Sequence, residues 1–159
     1  MSLRDVWSSL WGGRRGVEFR IYGDPKPEPR PRAYRRGERV GVYAGTSADG
    51  WREQIATAAR PHVRRPITSP VGVTVEFFIG RPKSHLGTGR NADKLKSSAP
   101  MYPAGKGRDD LDILAKPILD VLTNVGMWVD DGQVTDLVCR KRYTTGQPGA
   151  LVTITEISE

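Results

Sequence analysis

The sequence predicts a single α+β domain with a small mixed or antiparallel β-sheet and two main helices. Three observations indicate this class. The chain has 159 residues, which suits one compact domain and is too short for two ordinary ones. Several short segments have the period-two hydrophobicity of strands, whereas two longer segments have helical spacing. No internal repeat is visible, and the longest apolar runs are as long as strands, not as long as membrane spans.

Five segments are predicted to be β-strands because apolar and polar side chains alternate along them. They cover residues 17–22, 39–43, 71–79, 133–143 and 150–157. The last two are expected to pair as a hairpin, since the Gly-Gln-Pro-Gly sequence at 146–149 favours a turn between them. Between the first two, proline occupies every second position from Pro25 to Pro31, which forbids a helix and favours an extended backbone.

Two segments are predicted to be helices. Residues 49–63 form the first, with Ser47 or Asp49 as its N-cap and apolar residues such as Trp51 on one face. Residues 110–125 form the second, in which an apolar stripe runs from Leu111 to Val125 and Gly126 ends the helix. Pro117 lies inside this helix and should kink it, but the stripe continues on both sides, so the helix is retained.

Two further segments lack periodicity. Residues 81–106 are rich in Gly, Ser, Lys and Pro and are expected to form a loop that need not be ordered without a ligand. Residues 1–16 are assigned to an N-terminal extension that need not be ordered either, and residues 17–159 to the domain.

Composition excludes several classes of site. The single cysteine, Cys139, excludes an internal disulfide and a Cys-rich zinc site, and His62 and His85 have no metal-ligand spacing. No EF-hand loop and no Walker A sequence occur, so no nucleotide cofactor is expected. The continuous apolar region of a signal peptide is missing, which favours a reducing cytoplasm.

Charge is distributed unevenly along the chain. Residues 1–108 contain 21 Lys and Arg against 9 Asp and Glu, a net of +12, whereas residues 109–159 contain 4 against 9, a net of −5. A basic surface attracts the phosphates of a nucleic acid. Acidic residues clustered in the same protein oppose that attraction unless a cation neutralises them, which is the first indication of function.

The acidic residues occur at two places. Asp109, Asp110 and Asp112 open the second helix, where carboxylates commonly cap amides and complement the helix dipole. Asp130 and Asp131 precede a strand, where acidic residues commonly form a solvated turn. Each place taken alone is better explained by these structural roles.

Taken together, the two places suit a metal site. The short connection 126–129 can fold Asp130 and Asp131 back beside the helix, with Trp128 and Val129 anchoring the turn in the core. Carboxylates that converge on a small volume repel one another unless a cation is bound between them. Ligands that are all oxygen favour Mg²⁺, or Mn²⁺ in its place.

Lys116 lies on the polar side of the second helix, four residues after Asp112 and four before Asp120. It has two interpretations. It could form a surface ion pair with Asp112, which would contribute little. In a nuclease it could instead stabilise the negative charge that develops on the scissile phosphate.

Around these residues the sequence resembles the signature of RusA-type Holliday junction resolvases. That family has an Asp-Leu-Asp-Asn helix start, a lysine four residues after the second aspartate, and an Asp-Asp-x-Gln-Val turn. The matching segments here are Arg108-Asp109-Asp110-Leu111-Asp112-Ile113-Leu114-Ala115-Lys116, Leu119-Asp120-Val121-Leu122 and Gly126-Met127-Trp128-Val129-Asp130-Asp131-Gly132-Gln133-Val134. More loosely, the Gly-x-Pro and Arg-Pro-Arg opening and the loop at 81–85 are also similar, so the likeness covers nearly the whole chain from Val17.

The resemblance implies a RusA-like fold and a set of site residues. Asp110, Asp112 and Asp131 match the catalytic, metal-binding aspartates of the family, and Lys116 matches its essential lysine. Asp130 matches a neighbouring acid and is included among the expected metal ligands. The family's usual Asn after the second aspartate is replaced by Ile113, which removes a polar contact but no expected ligand.

The resemblance also implies an activity. The chain is expected to be a Mg²⁺-dependent endodeoxyribonuclease in DNA recombination and repair, acting as a homodimer that makes paired nicks in four-way junctions. Its expected location is the cytoplasm of a bacterium or of a phage-infected host cell. Two alternatives stay open: a branch or flap nuclease without resolvase symmetry, and a non-catalytic DNA-binding module whose acidic residues only cap helices.

Basic residues cluster around the proline-rich segment and again before the second helix. A solvated basic surface is the ordinary explanation for any one of them. As a set they suit a rim that grips phosphates around an acidic site. The residues expected to bind DNA are Arg30, Arg32, Arg35, Arg36, Lys106 and Arg108.

Overall fold

A computed structural model describes residues 16–29, 32–43, 48–105 and 110–157. The fold is the expected single α+β domain with two main helices. The helices are α1 (Asp49–Ala59) and α2 (Leu111–Asn124). The strands are β1 (Gly16–Tyr22), β2 (Arg32–Arg36), β3 (Arg39–Tyr43), β4 (Val71–Gly80), β5 (Val134–Thr144) and β6 (Gly149–Glu156). Within these ranges, neither helix has the length and hydrophobicity needed to cross a membrane.

Four strands form a mixed sheet in the order β1-β6-β4-β5. β4 pairs in parallel with β5 and antiparallel with β6, which in turn pairs antiparallel with β1. The expected hairpin between the last two strands is therefore wrong, because β4 lies between them. β4 occupies this interior position because side chains on both of its faces are buried, including Val73, Thr74 and Val75.

The core joins the sheet to both helices. Trp51 and Ile55 from α1 and Leu114, Ile118 and Leu122 from α2 are buried with the apolar residues of β4 and β6. The N-cap of α1 is Ala48, so neither Ser47, which lies outside the described residues, nor Asp49 occupies that position. α1 changes to a 3-10 turn at Arg60–His62, where Pro61 has no N–H to continue the helix.

Pro117 is accommodated inside α2 by a partner from elsewhere in the chain. A residue with an N–H at position 117 would donate to the carbonyl oxygen of Ile113, and proline cannot. The backbone N–H of Glu28 donates to that oxygen instead, at 3.2 Å. The proline-rich segment is thereby fixed against the first turns of α2.

Residues 81–105 form a loop, as expected, and the loop has internal order. The 3-10 turn Lys83–His85 precedes an isolated bridge between Leu86 and Leu95, and a second turn, Gly89–Asn91, lies within the segment that this bridge closes. The Arg81 guanidinium lies 4.4 Å from the ring centroid of Tyr143, which connects the loop to β5.

Candidate active site

The N-terminus of α2 presents two carboxylates to solvent. Asp110 occupies the N-cap position with an extended backbone, and its carbonyl oxygen accepts the Leu114 N–H at 3.1 Å. Its carboxylate forms no capping hydrogen bond, so the structural role expected for an N-cap aspartate is not realised. Asp112 lies in the first turn and is exposed.

The second acidic place is a 3-10 turn, Asp131–Gln133, that contacts α2. A capping box organises this turn: Asp130 Oδ1 accepts the Gly132 N–H at 2.7 Å, while Gln133 Oε1 accepts the N–H groups of Val129 and Asp130 at 2.9 and 3.0 Å. One oxygen of Asp130 thus accepts a hydrogen bond within the turn. Asp131 is exposed, and its carboxylate does not take part in the capping box.

Gln133 also fixes where the turn sits, a role that we did not predict for it. Its Nε2 donates to the carbonyl oxygens of Ile67 and Ser69 at 2.8 and 3.0 Å. The Ile67 N–H donates in turn to the Met127 carbonyl at 2.9 Å. An Asp-x-x-Gln spacing at the start of a short helix was the available signal in the sequence.

Trp128 anchors the connection between α2 and the turn, as expected. Its indole is buried, with 1% exposure, and its Nε1 donates to Thr123 Oγ1 at 2.7 Å. The same expectation for Val129 is wrong, because that side chain is 65% exposed. The indole can be buried because its one polar atom has a partner, and Met127, with 2% exposure, is the other buried side chain of the connection.

Lys116 pairs with Asp120 and not with Asp112. Its Nζ lies 2.8 Å from Asp120 Oδ2, one turn further along α2. This hydrogen bond is the main cause of a Lys116 pKa raised above its ordinary value, opposed by partial desolvation. The lysine therefore carries its positive charge throughout the neutral range.

Asp120 is part of a series of side chains with alternating charge that links α2 to α1 and to the proline-rich segment. Arg52 of α1 lies 3.9 Å from Asp120 Oδ2 and 2.8 Å from Glu28 Oε2, and all three side chains are partly buried. The sequence did not predict a role for Arg52, because it lies far from Asp120 along the chain. Helical spacing relates only residues within one helix. The proline-rich segment, α1 and the face of α2 that carries Lys116 are thus linked electrostatically.

The three remaining aspartates have no competing partner. Within the described ranges, no hydrogen bond or ion pair engages the carboxylates of Asp110, Asp112 or Asp131, and all three residues are exposed. In the same ranges, no three Asp, Glu, His or Cys side chains are grouped as the ligands of one metal ion would be. The chemistry of these donors fits a hard divalent cation, and a bound ion would have to draw the carboxylates together.

The expected DNA-binding residues divide into two groups. Arg32, Arg35 and Arg36 lie on β2 and are exposed. Three others, Arg30, Lys106 and Arg108, lie outside the described residues.

Comparison with known proteins identifies the class to which this fold and site belong. The chain is a member of the RusA endodeoxyribonuclease family, whose profile, described as Endodeoxyribonuclease RusA, matches residues 22–155. Among curated proteins, it is similar to the uncharacterized protein YqaN of Bacillus subtilis (strain 168), with 30% identity over 145 residues. That match covers 89% of this chain and 97% of the relative.

Proposed function

We propose that this protein resolves four-way DNA junctions by paired, divalent-metal-dependent hydrolysis of phosphodiester bonds, in DNA recombination and repair. The observation that carries the proposal is a set of three exposed carboxylates, those of Asp110, Asp112 and Asp131, that have no partner in the part of the chain that the structure describes, although the net charge is +7. Acids that neither cap nor pair are a net cost for a protein that binds a polyanion, unless they serve chemistry on it. Membership of the family supports the same conclusion.

Asp110, Asp112 and Asp131 would hold the cation, Mg²⁺ or Mn²⁺. When bound, such an ion makes a water molecule more acidic and offsets the charge of a phosphate. Asp130 shares one oxygen with its own turn and is assigned a supporting position beside Asp131. Lys116, protonated at neutral pH, would stabilise negative charge that develops on the phosphate oxygens. It is exposed on one side and held by Asp120 on the other.

A homodimer is proposed as the working unit, because two equivalent strands must be cut in one junction and a protein two-fold axis matches the two-fold of the DNA. In the sequence, the amphipathic segment 49–63 and the strand segment 71–79 are the candidates for its contact surface. The apolar side chains of both segments are already used inside one chain: Trp51 and Ile55 in α1, and Val73 and Val75 in β4, are buried. The contact surface is therefore to be sought elsewhere.

A cleavage assay on matched substrates tests the proposal. A four-way junction, a flap and a linear duplex of the same sequence would be incubated with the full chain and Mg²⁺, with a chelator arm as the control. Paired symmetric nicks in the junction alone are expected. Cleavage of flaps as well would favour a branch nuclease, and binding without any cleavage would favour a DNA-binding module. Full activity in excess chelator would refute the metal dependence.

A further inference from the structure

The β2–β3 hairpin stands apart from the main sheet and has two distinct faces. Directly paired residues in an antiparallel ladder share a face, and alternate residues change face. The register Arg32↔Tyr43, Tyr34↔Gly41 and Arg36↔Arg39 gives one face, and the register Ala33↔Val42 and Arg35↔Val40 gives the other. We call the first the arginine–tyrosine face. It carries three arginines around Tyr34.

Tyr34 lies flat across this face because Gly41 stands opposite it. A Cβ atom at position 41 would lie 2.7 Å from both Cζ and Oη of Tyr34, closer than real contacts allow. The ring therefore covers the bare backbone of Gly41, a known way for an aromatic residue to stabilise a glycine in a strand. Its outer surface stays open, with 55% of the residue exposed.

The charge of the hairpin identifies the kind of ligand that would cover it. Four arginines and one glutamate occupy residues 32–39, a net of +3, and every residue of β2 is exposed. An isolated two-stranded hairpin is marginally stable in water. A π-surface between guanidinium groups suits a nucleic-acid strand, in which a base stacks on the ring while the neighbouring phosphates meet the cations.

The hairpin is tethered close to the candidate active site. The Glu28 N–H is bonded to the Ile113 carbonyl, next to Asp112. Arg32 follows Glu28 by four residues, and four residues reach at most about 14 Å. A ligand on the arginine–tyrosine face is therefore within a few nucleotides of DNA bound at the N-terminus of α2.

We propose that the arginine–tyrosine face binds an unstacked base of branched DNA, with Tyr34 as the stacking platform and Arg32 and Arg36 on the flanking phosphates. This inference rests on the proposed function. A continuous duplex keeps its bases stacked on one another, whereas stacking is interrupted where strands exchange. Tyr34 thus contributes to discrimination between junction and duplex, and the arginines contribute to affinity for both.

The test compares affinities for a four-way junction and for a linear duplex, measured with Ca²⁺ in place of Mg²⁺ over a range of salt concentrations. Tyr34→Leu is expected to weaken junction binding roughly tenfold, the effect of one base stack, and duplex binding by less than about twofold. The salt dependence should not change, because a stacked base releases no counterions. Arg36→Gln should instead reduce the slope against salt by about one unit on both substrates.

Two control variants complete the test. Tyr34→Phe keeps the ring and should bind like the wild type, and Val40→Thr changes the opposite face and should do the same. Arg36→Gln, Tyr34→Phe and Val40→Thr should keep the wild-type unfolding temperature, since Arg36 and Val40 are exposed and the phenylalanine ring still covers Gly41. Tyr34→Leu uncovers Gly41, and its nearly unchanged duplex binding and its unchanged salt dependence would show that the hairpin is intact. If Tyr34→Leu binds the junction as tightly as the wild type, or loses affinity for both substrates equally, the inference is wrong while the proposed function survives. If the wild type itself does not prefer the junction, both are wrong.

Discussion

The backbone N–H of Glu28 lies 3.2 Å from the carbonyl oxygen of Ile113, where it replaces the hydrogen bond that Pro117 cannot donate. The Glu28 carboxylate meanwhile accepts from Arg52 at 2.8 Å. One residue of the proline-rich segment is thus fixed to both helices, by its backbone to α2 and by its side chain to α1. Movement of the basic segment and of the helix that carries Asp112 and Lys116 is therefore coupled.

Substitution of the partnerless carboxylates should separate binding from chemistry. Asp110→Asn and Asp131→Asn are expected to abolish cleavage of a four-way junction, while junction affinity is kept or increased because a negative charge near phosphate is removed. Cleavage would be followed on labelled junctions and affinity by gel shift in Ca²⁺. Asp93→Asn, an exposed acid in the loop, is the matched control and should cut normally. Normal cleavage by the two site variants would favour a purely structural role for these aspartates.

Lys116→Met keeps the aliphatic stem and removes the charge. Because a surface ion pair contributes less than about 1 kcal/mol, the free energy of unfolding should barely change. A lost contact to the transition state should slow single-turnover cleavage about a hundredfold or more. A loss of less than tenfold would assign Lys116 to the helix surface alone.

Asp120→Asn tests how Lys116 is held. The hydrogen bond from Asp120 favours the charged lysine, so its removal should lower the Lys116 pKa. Since the pKa of Lys116 in the folded protein is raised above the ordinary value of 10.5, the pair stabilises the fold at neutral pH, where both groups are charged, and the contribution of the lysine is lost as the pH rises through the raised pKa. Carbon-13 NMR titration of labelled lysine would measure the shift. An unchanged Lys116 pKa in the variant would contradict the assignment.

Gln133→Ala should destabilise the protein, because four backbone groups lose their partner. At about 0.5–1.5 kcal/mol for each of the four hydrogen bonds, a loss of about 2–6 kcal/mol in the free energy of unfolding is expected. Urea unfolding provides the measurement, and Gln147→Ala, an exposed glutamine, provides the control. A change below about 1 kcal/mol would mean that the turn is held by Trp128 alone.

Mixed dimers test the symmetry of the working unit. Wild-type subunits combined with Asp112→Asn subunits should nick one strand of each junction and rarely release linear duplex products. Wild-type homodimers provide the reference for paired cuts. If the protein sediments as a monomer at working concentration and still makes both cuts in one binding event, the two-fold arrangement is refuted.

Most helices and strands were predictable from the sequence, because the spacing of apolar residues within a segment indicates its secondary structure. The stripe from Leu111 to Val125 predicted α2 nearly to its ends, and the alternation from Val71 predicted β4. Strand pairing was not predictable in the same way. The turn at 146–149 favoured a hairpin, but the burial of both faces of β4, a property of the whole sheet, decided the order.

The candidate site, too, was predictable only where a local sequence pattern indicates it. The acids of the two motifs and the buried Trp128 followed from sequence. The partner of Lys116 did not, because spacing alone offers Asp112 and Asp120 equally, and the hydrogen bond to Asp120 is visible only in the structure. The strand β2 was also missed, since Arg32–Arg36 has no apolar alternation and is exposed on both faces.

The position of β6 in the sheet determines how early the fold can assemble while the chain is being synthesised. β6 pairs with β1 on one side and β4 on the other, with Gly16 opposite Thr155. When residues 1–148 have been synthesised, the chain contains both helices, all 25 basic residues and 16 of the 18 acidic residues, but the sheet still lacks the strand that joins β1 to β4. Pairing over such a distance along the chain is slow to form. The nascent polypeptide therefore remains a basic chain without a complete sheet until β6 has been synthesised, and the N-terminus of α2 and the turn at Asp131–Gln133 are held in one fold only then.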